Sequence, residues 1–241
     1  DDGRMLNGLK FIKEDEANQS LSVYADDHDT YNFDNEDDFL DHAAEFYEPN
    51  GYKCFYFGDG DDGAMRTNKT SVTIDGDNYN FYFEKSGGNK GAGVTGEKDD
   101  KYYQSGKLVR AGSDEKYQVV QYVEDTIAEV GDDDAKVGYD KLDDAAEVVA
   151  AIRAHADYDV DTTVSQANLD ALGVNKKLED IQELAVFTRK ADGKVGTKVA
   201  DFFLVNTSGK VIDSKSKNKD GNDYQFVVAK GGAILGYYVE D

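Results

Sequence analysis

Apolar and polar positions alternate over much of this chain, and aromatic rings carry most of the alternation. The runs Tyr52–Phe57, Ser71–Ile74, Asn78–Phe83, Lys101–Gln104 and Tyr117–Val123 read as strands. Between them lie the turn segments Gly58–Gly63, Asp75-Gly76, Ser86-Gly87-Gly88 and Ser105-Gly106. Asp75-Gly76 between two strand-like runs is a strong hairpin signal, because both residue types tolerate the positive φ that a tight two-residue turn demands. Leu6, Leu9, Phe11 and Ile12 suggest a turn and strand at the start, and Leu21–Tyr24 and Tyr31–Phe33 are short strand-like pieces in a polar, acidic stretch. The strand pattern returns at Ala185–Arg189 or, more clearly, Phe202–Val205. It continues through Thr207-Ser208-Gly209, Asp220-Gly221-Asn222, Tyr224–Val228, Gly231-Gly232 and Ile234–Val239.

A helical period appears in two places. Asn35 is a candidate cap for a helix with Glu36, Asp37 and Asp38 in its first turn and Phe39, Ala43 and Phe46 on one face, stopped by Pro49-Asn50-Gly51. After residue 124, Asp140 is a candidate cap for a helix with Leu142, Ala145, Val149, Ile152 and Ala156 on one side. Ser165 caps a second, carrying Leu169 and Leu172 and stopped by Gly173; Asn175 caps a third, with Leu178, Ile181 and Leu184. Three helices so closely spaced predict a small bundle. The expected fold class is therefore mainly β with helical insertions, as stacked hairpins interrupted by that bundle. The expected organisation is a partial hairpin repeat (1–12), an acidic insertion with one helix (13–50), hairpin repeats (51–123), a helical insertion (124–200) and C-terminal hairpin repeats (201–241).

One phrase occurs twice, as Asp1-Asp2-Gly3-Arg4-Met5 and Asp61-Asp62-Gly63-Ala64-Met65, and the second copy leads into Thr73-Ile74-Asp75-Gly76-Asp77 and the aromatic run to Phe83. Related text recurs in Gly93-Val94-Thr95-Gly96, Tyr102-Tyr103-Gln104-Ser105-Gly106-Lys107-Leu108-Val109 and Phe203-Leu204-Val205-Asn206-Thr207-Ser208-Gly209-Lys210-Val211. Recurrent turn-plus-strand units mark repeat proteins, which present extended binding surfaces. Over 52–122, 202–241 and the fragment 1–12, the chain resembles the cell-wall-binding (choline- and glucan-binding) repeats of Gram-positive surface proteins. The resemblance implies β-hairpins stacked into a solenoid and, in choline-binding members, a tryptophan-rich cage for a quaternary ammonium. This chain has no Trp, and its two phrase copies are 60 residues apart, so the resemblance implies a scaffold without that cage and with insertions. Because the first copy lacks an upstream strand, the chain reads as starting inside a repeat, as a mature product or a piece of something longer.

Composition narrows the chemistry. With 39% apolar residues but 16 Tyr and 12 Phe among 241, tyrosine must supply much of the packing. A formal charge of −23 argues against nucleic acid and anionic membrane surfaces as partners, since no basic stripe is present to release counterions. No apolar stretch approaches the ~18 residues needed to span a bilayer. The single Cys54 lies in Cys54-Phe55-Tyr56-Phe57 and reads as a packed strand residue. His28, His42 and His155 have no nucleophile partner in a recognisable motif, and 50 acidic residues make chance carboxylate pairs inevitable, so no catalytic residues are assigned. Asp59, Asp61 and Gly63 have alternate spacing, but Thr70 stands where an EF-hand needs its bidentate Glu. Asp26-Asp27-His28-Asp29 and Asp132-Asp133-Asp134 read as loop charge, and no phosphate-binding loop is present. Neither metal nor cofactor is expected.

The aromatics remain as candidate chemistry. Tyr79, Phe81 and Phe83 share one face of a strand and Asn80 and Tyr82 the other, so one face packs while Tyr82, with Tyr102 or Tyr103, offers a platform for a sugar ring. Tyr79, Tyr82, Tyr102 and Tyr103 are the candidate ligand-binding residues. The expected function is a secreted, non-enzymatic surface module, of a Gram-positive bacterium or its phage, holding cell-wall or surface polysaccharide. Two other readings are an assembly subunit of a surface layer, filament or phage fibre that stacks on other protein chains, and a targeting tail of a larger enzyme or toxin.

Overall fold

A computed structural model describes residues 5–15, 20–23, 33, 35–44, 50–58, 62–112, 114–124 and 137–241. Strands occupy 44% of it and helices 14%, so the chain is mainly β. In chain order the elements are β1 (Leu9–Asp15), β2 (Ser20–Val23), α1 (Glu36–His42), β3 (Lys53–Tyr56), β4 (Asn68–Ile74), β5 (Asp77–Phe83), β6 (Gly96–Lys98), β7 (Lys101–Gln104) and β8 (Lys107–Leu108). There follow β9 (Tyr117–Glu124), β10 (Val137–Leu142), α2 (Ala145–Ala154), β11 (Tyr158–Asp161), α3 (Gln166–Leu172), β12 (Ile181–Arg189), β13 (Phe202–Asn206), β14 (Ser216–Lys219), β15 (Gln225–Val228) and β16 (Ile234–Glu240). The chain divides into two compact units, residues 1–109 with 123–139, and 110–122 with 140–241.

The first unit is built from hairpins. β4 and β5 pair antiparallel from Asn68↔Phe83 to Ile74↔Asp77, and Asp75 (φ 47°) and Gly76 (φ 86°) form the left-handed turn anticipated there. Asp99-Asp100 and Ser105-Gly106 make the equivalent two-residue turns of β6–β7 and β7–β8, giving a five-stranded sheet of order β4-β5-β8-β7-β6. A second, three-stranded sheet runs β2-β1-β3. Asn35 caps α1 as expected, its Oδ1 accepting the Asp38 N–H at 2.9 Å. Phe39 of α1 is fully buried and meets Phe81 edge-on at 5.4 Å, within a core that also holds Phe11, Phe33, Cys54, Tyr56, Val72, Ile74 and Phe83. Lys107, also buried, forms an ion pair with Glu36 and lies 4.9 Å from the Tyr79 ring.

Backbone hydrogen bonds tie these hairpins and the 92–95 segment together. Gly93 N–H donates to the Cys54 carbonyl (2.7 Å), Val94 N–H to Tyr82 (3.1 Å), Gly106 N–H to Val94 (2.8 Å) and Tyr82 N–H to Gly106 (2.7 Å). The approach at Gly93 is so close that a Cβ there would overlap the Ser105 carbonyl, which is the reason for glycine at that position. The two methionines of the doubled phrase play similar parts: the Met5 side chain fills the space where Gly63 lacks a Cβ, and the Met65 thioether does the same over Gly91.

The second unit is a helix-covered sheet of order β11-β12-β16-β15-β14. Alternate residues serve opposite faces. Ala185, Phe187, Phe226, Val228, Ile234 and Tyr237 join one core with Val148, Val149 and Ile152 of α2. Leu184, Val186, Val227 and Tyr238 join another with Leu169 and Leu172 of α3. The helices thus belong to different cores and form no bundle, a correction to the expectation. The third expected helix is not formed. Leu178–Asp180 makes one turn of 3-10 helix, and Ile181 and Leu184 lie on β12, an inner strand buried on both faces. A register shift between Ile181 and Glu183 leaves Gln182 and Glu183 exposed, so the buried Ile181 and Leu184 stand three apart and mimic a helical period. The cap of α2 is Asp144, whose side chain accepts the Glu147 N–H at 2.8 Å; Asp140 and Leu142 belong to β10. Ser165 and Gly173 (φ 66°) bound α3 as expected. Among its described residues, segment 124–200 therefore contains the strands β10, β11 and β12 besides its helices. β9 pairs with β13, from Phe202↔Gln121 to Asn206↔Tyr117.

Candidate functional site

The four candidate tyrosines do not form one exposed platform. Tyr82 and Tyr103 lie 5.8 Å apart, and both are buried (3% exposed each) against Val94 and Leu108. Their placement on the face opposite Phe81 and Phe83 agrees with the strand period, but the 92–95 segment and β8 cover that face. Burial, followed by Asp99 and Tyr82, pushes the Tyr103 hydroxyl above its ordinary range. Tyr79 packs at the margin of the other core beside Lys107. Tyr102 is half-buried against Tyr139 at 5.1 Å, and burial together with Glu97 raises its hydroxyl pKa as well. Asp1–Arg4, Asp26–Asp29, Tyr31, Phe46, Pro49, Asp59, Asp61 and Asp132–Asp134 lie outside the described residues. Among the described residues no group of three or more His, Cys, Asp or Glu is arranged to hold a metal ion, and no helix is long and apolar enough to cross a membrane.

A cleft of about 350 Å³ opens in the first unit where β3, the 84–95 segment and the Ser105 turn converge. Sequence reasoning treated these residues only as strand and turn. Tyr52, set at the head of β3 by the turn at Asn50-Gly51, lines one part of it. Lys13 holds this turn by donating to the Asn50 carbonyl at 2.7 Å, with its ammonium 5.9 Å from the Tyr52 ring. Lys53 donates to the Asn89 side-chain oxygen at 2.8 Å. Glu84 accepts from Lys98 at 3.2 Å, and that bond, with the carboxylate's charge, raises the Lys98 pKa. Thr95 Oγ1 accepts the Ser105 N–H at 2.9 Å, tying two sides together. The lining is polar at its edges, aromatic at Tyr52 and backed by the buried Cys54 and Ala92 and the half-buried Gly93.

This arrangement suits binding. Its volume lies at the lower end of the roughly 300–1,000 Å³ usual for small-molecule sites. The signal that could have found the site was Tyr52 directly after a turn, facing the glycine-rich 86–93 segment. Compared with family profiles, curated proteins and solved structures, the chain matches none of them.

Proposed function

We propose that this chain is a non-enzymatic, secreted surface module that holds cell-wall or surface glycan on stacked β-hairpins. The observation that supports it is the run of short antiparallel hairpins in the first unit. Residues that resemble cell-wall-binding repeats (Thr73–Phe83, Gly93–Gly96 and Tyr102–Val109) fold as two-residue-turn hairpins and a connecting segment linked through Gly93, Val94 and Gly106. In the repeats that the chain resembles, such hairpins build a solenoid, and scaffolds of that kind present repeated surfaces to long polymers. The charge of −23 supports a glycan partner over an anionic one. Incubating the purified chain with insoluble Gram-positive cell walls and sedimenting them should carry the protein into the pellet. Absence from the pellet at low and high salt, with and without calcium, overturns the reading.

A second reading, as an assembly subunit, has its own observation. β2 is an edge strand of its sheet, and Leu21 (67% exposed) and Val23 (38%) project from the same side of it. Exposed apolar residues on an edge strand favour pairing with another chain. Light scattering distinguishes the two: growth of large particles without sugar, suppressed by Leu21→Lys with Val23→Lys, supports assembly, and a monodisperse monomer that sediments with walls supports glycan binding.

A further inference from the structure

We propose that the second unit's sheet joins head to tail with the same sheet of a second copy of this chain, β14 of one lying beside β11 of the next. This contact is independent of glycan binding and of the β2 edge. β11 and β14 are the two outer strands of the order β11-β12-β16-β15-β14. One cross-strand row runs the width of that sheet, Asp161↔Val186↔Gly236↔Val227↔Lys217. Directly paired residues point to the same face, so Asp161 and Lys217 end this row on one side of the sheet, the side that α3 covers. Both are exposed. Asp159 precedes Asp161 by two residues, and Lys215 and Lys219 flank Lys217 at the same spacing, all exposed as well.

The row ends in opposite charges that no ion pair among the described residues satisfies. The Asp161 carboxylate accepts the Thr163 N–H at 2.8 Å, and hydrogen bonds from Thr163 and Asn168 hold its pKa low, so it stays ionised without a cation. Neither Lys217, 5.6 Å from the Tyr238 ring, nor Lys215 forms an ion pair among those residues. The other edge charges are paired at the surface, Asp159 with Lys190 (3.8 Å), Asp157 with Lys198 (3.6 Å) and Lys219 with Asp223 (2.6 Å), where such pairs contribute little. Glu240, whose carboxyl Lys217 helps hold low, is bonded to Lys176 at 2.7 Å.

Like edges repel. Two β14 strands side by side set lysine against lysine, and two β11 strands set aspartate against aspartate, which is how exposed edges are guarded. Only β14 against β11 brings opposite signs together, so the charges select a head-to-tail contact. Every step from β11 to β14 is antiparallel, and there are four, so the two strands run in the same direction. A translated copy therefore keeps its α3 face on the same side, with its Asp161 beside Lys217 of the first. A contact between unlike edges does not close on itself, and copies add in a row. The overall charge does not forbid this: the second unit holds most of the chain's basic residues and less than half of its acidic ones. Exposed charges more than about 8 Å apart are also screened at physiological salt.

Sedimentation velocity of the full chain over a rising concentration series tests the proposal. The parent should form species larger than a dimer at physiological salt, and molar salt, with a Debye length of about 3 Å, should reduce them. Lys217→Glu and Asp161→Lys should each raise the concentration needed for association by about tenfold. An equimolar mixture of the two should recover the parent's association, because every β14 edge then finds a β11 edge of opposite sign. Lys217→Glu changes an exposed side chain and decides the matter by itself if Asp161→Lys loosens the loop before α3. The proposal is overturned if the parent stays monomeric, if growth stops at a dimer, if Lys217→Glu associates like the parent, or if folded variants fail to recover on mixing. Leu21→Lys with Val23→Lys should leave this association unchanged; if it abolishes growth and the charge reversals do not, the β2 edge is the contact and β14 with β11 is not. A monomer retained by cell walls overturns the contact and leaves the glycan reading standing, whereas growth without wall retention does the reverse.

Discussion

The two units reach mainly-β structure by different means. In the first, an aromatic core under α1 is joined by main chain meeting main chain, where Gly93, Val94 and Gly106 bring neighbouring segments within hydrogen-bonding distance of one another. In the second, a five-stranded sheet buries both faces under side chains, with α2 serving one core and α3 the other. Yet each unit holds a glycine pressed against a backbone carbonyl, Gly93 on Ser105 and Gly236 on Ala185, so close backbone approach is common to both while the helix covering of the sheet differs. Backbone approach of this kind admits no substitute for glycine; side-chain packing degrades by degrees.

The sharpest way to break this comparison is Gly93→Ala. Its Cβ would collide with the Ser105 carbonyl, a backbone group that cannot swing aside, so the expected loss is roughly 3–5 kcal/mol, among the largest single-residue effects. Amide hydrogen exchange should rise across Tyr82–Val109 and stay low in β12, β15 and β16. Uniform exchange in both regions would show that the units are one cooperative body. Next in size is Ile152→Ala on α2, where the side chain is fully buried; deleting it should cost about 2–5 kcal/mol. Here denaturant melts should lose stability while exchange in the Gly93 rung keeps its parent value.

A smaller effect follows from the tyrosines of the second unit. Burial, then the charge of Glu183 and the neighbouring Tyr224, raises the Tyr237 pKa to about 12. Burial and a hydrogen bond to Asp201 push Tyr158 in the same direction. A free tyrosine loses its proton near ~10. Because the folded pKa is the higher, the stabilisation is complete below about 10 and is lost as pH rises from there through about 12. Thermal melts over that window should fall steeply in the parent and less steeply in Tyr237→Phe; equal slopes would show that this phenol stays protonated or is already solvated.

Local chemistry made part of this fold legible. Asp75-Gly76, the Asn35 cap, and the Ser165 and Gly173 ends of α3 are decided by residues adjacent in sequence, so pattern alone finds them. Ala185–Arg189 of β12 reads as strand, but its first residues read as helix because the register shift between Ile181 and Glu183, set by pairing with β16, is not local. The α2 start was misplaced by four residues because Asp140 and Asp144 are equally good caps in sequence, and only the pairing of β10 chooses between them. The candidate site was legible at its scaffold and not at its surface. The strand period placed Tyr82 on the correct face, but Val94, twelve residues later, covers it. Tyr52 and Asn89, 37 residues apart, meet at one cleft only after β3 and the 84–95 segment are joined at Gly93.

The methionines resting on Gly63 and Gly91 give the first unit a chemical vulnerability distinct from its mechanical one. Both are open to solvent, Met5 at 55% and Met65 at 39% exposed, while Cys54, the chain's only other sulfur, is sealed at 1%. Oxidation would turn each thioether into a bulkier, polar sulfoxide at a contact that works because the partner has no side chain. Mild peroxide followed by peptide mass analysis should find Met5 and Met65 modified before Cys54, and modification of Cys54 first would refute the idea. The doubled phrase thus places this protein's oxidisable sulfur at two of its tightest surface contacts, and the age of a molecule exposed to oxidants would be recorded there first.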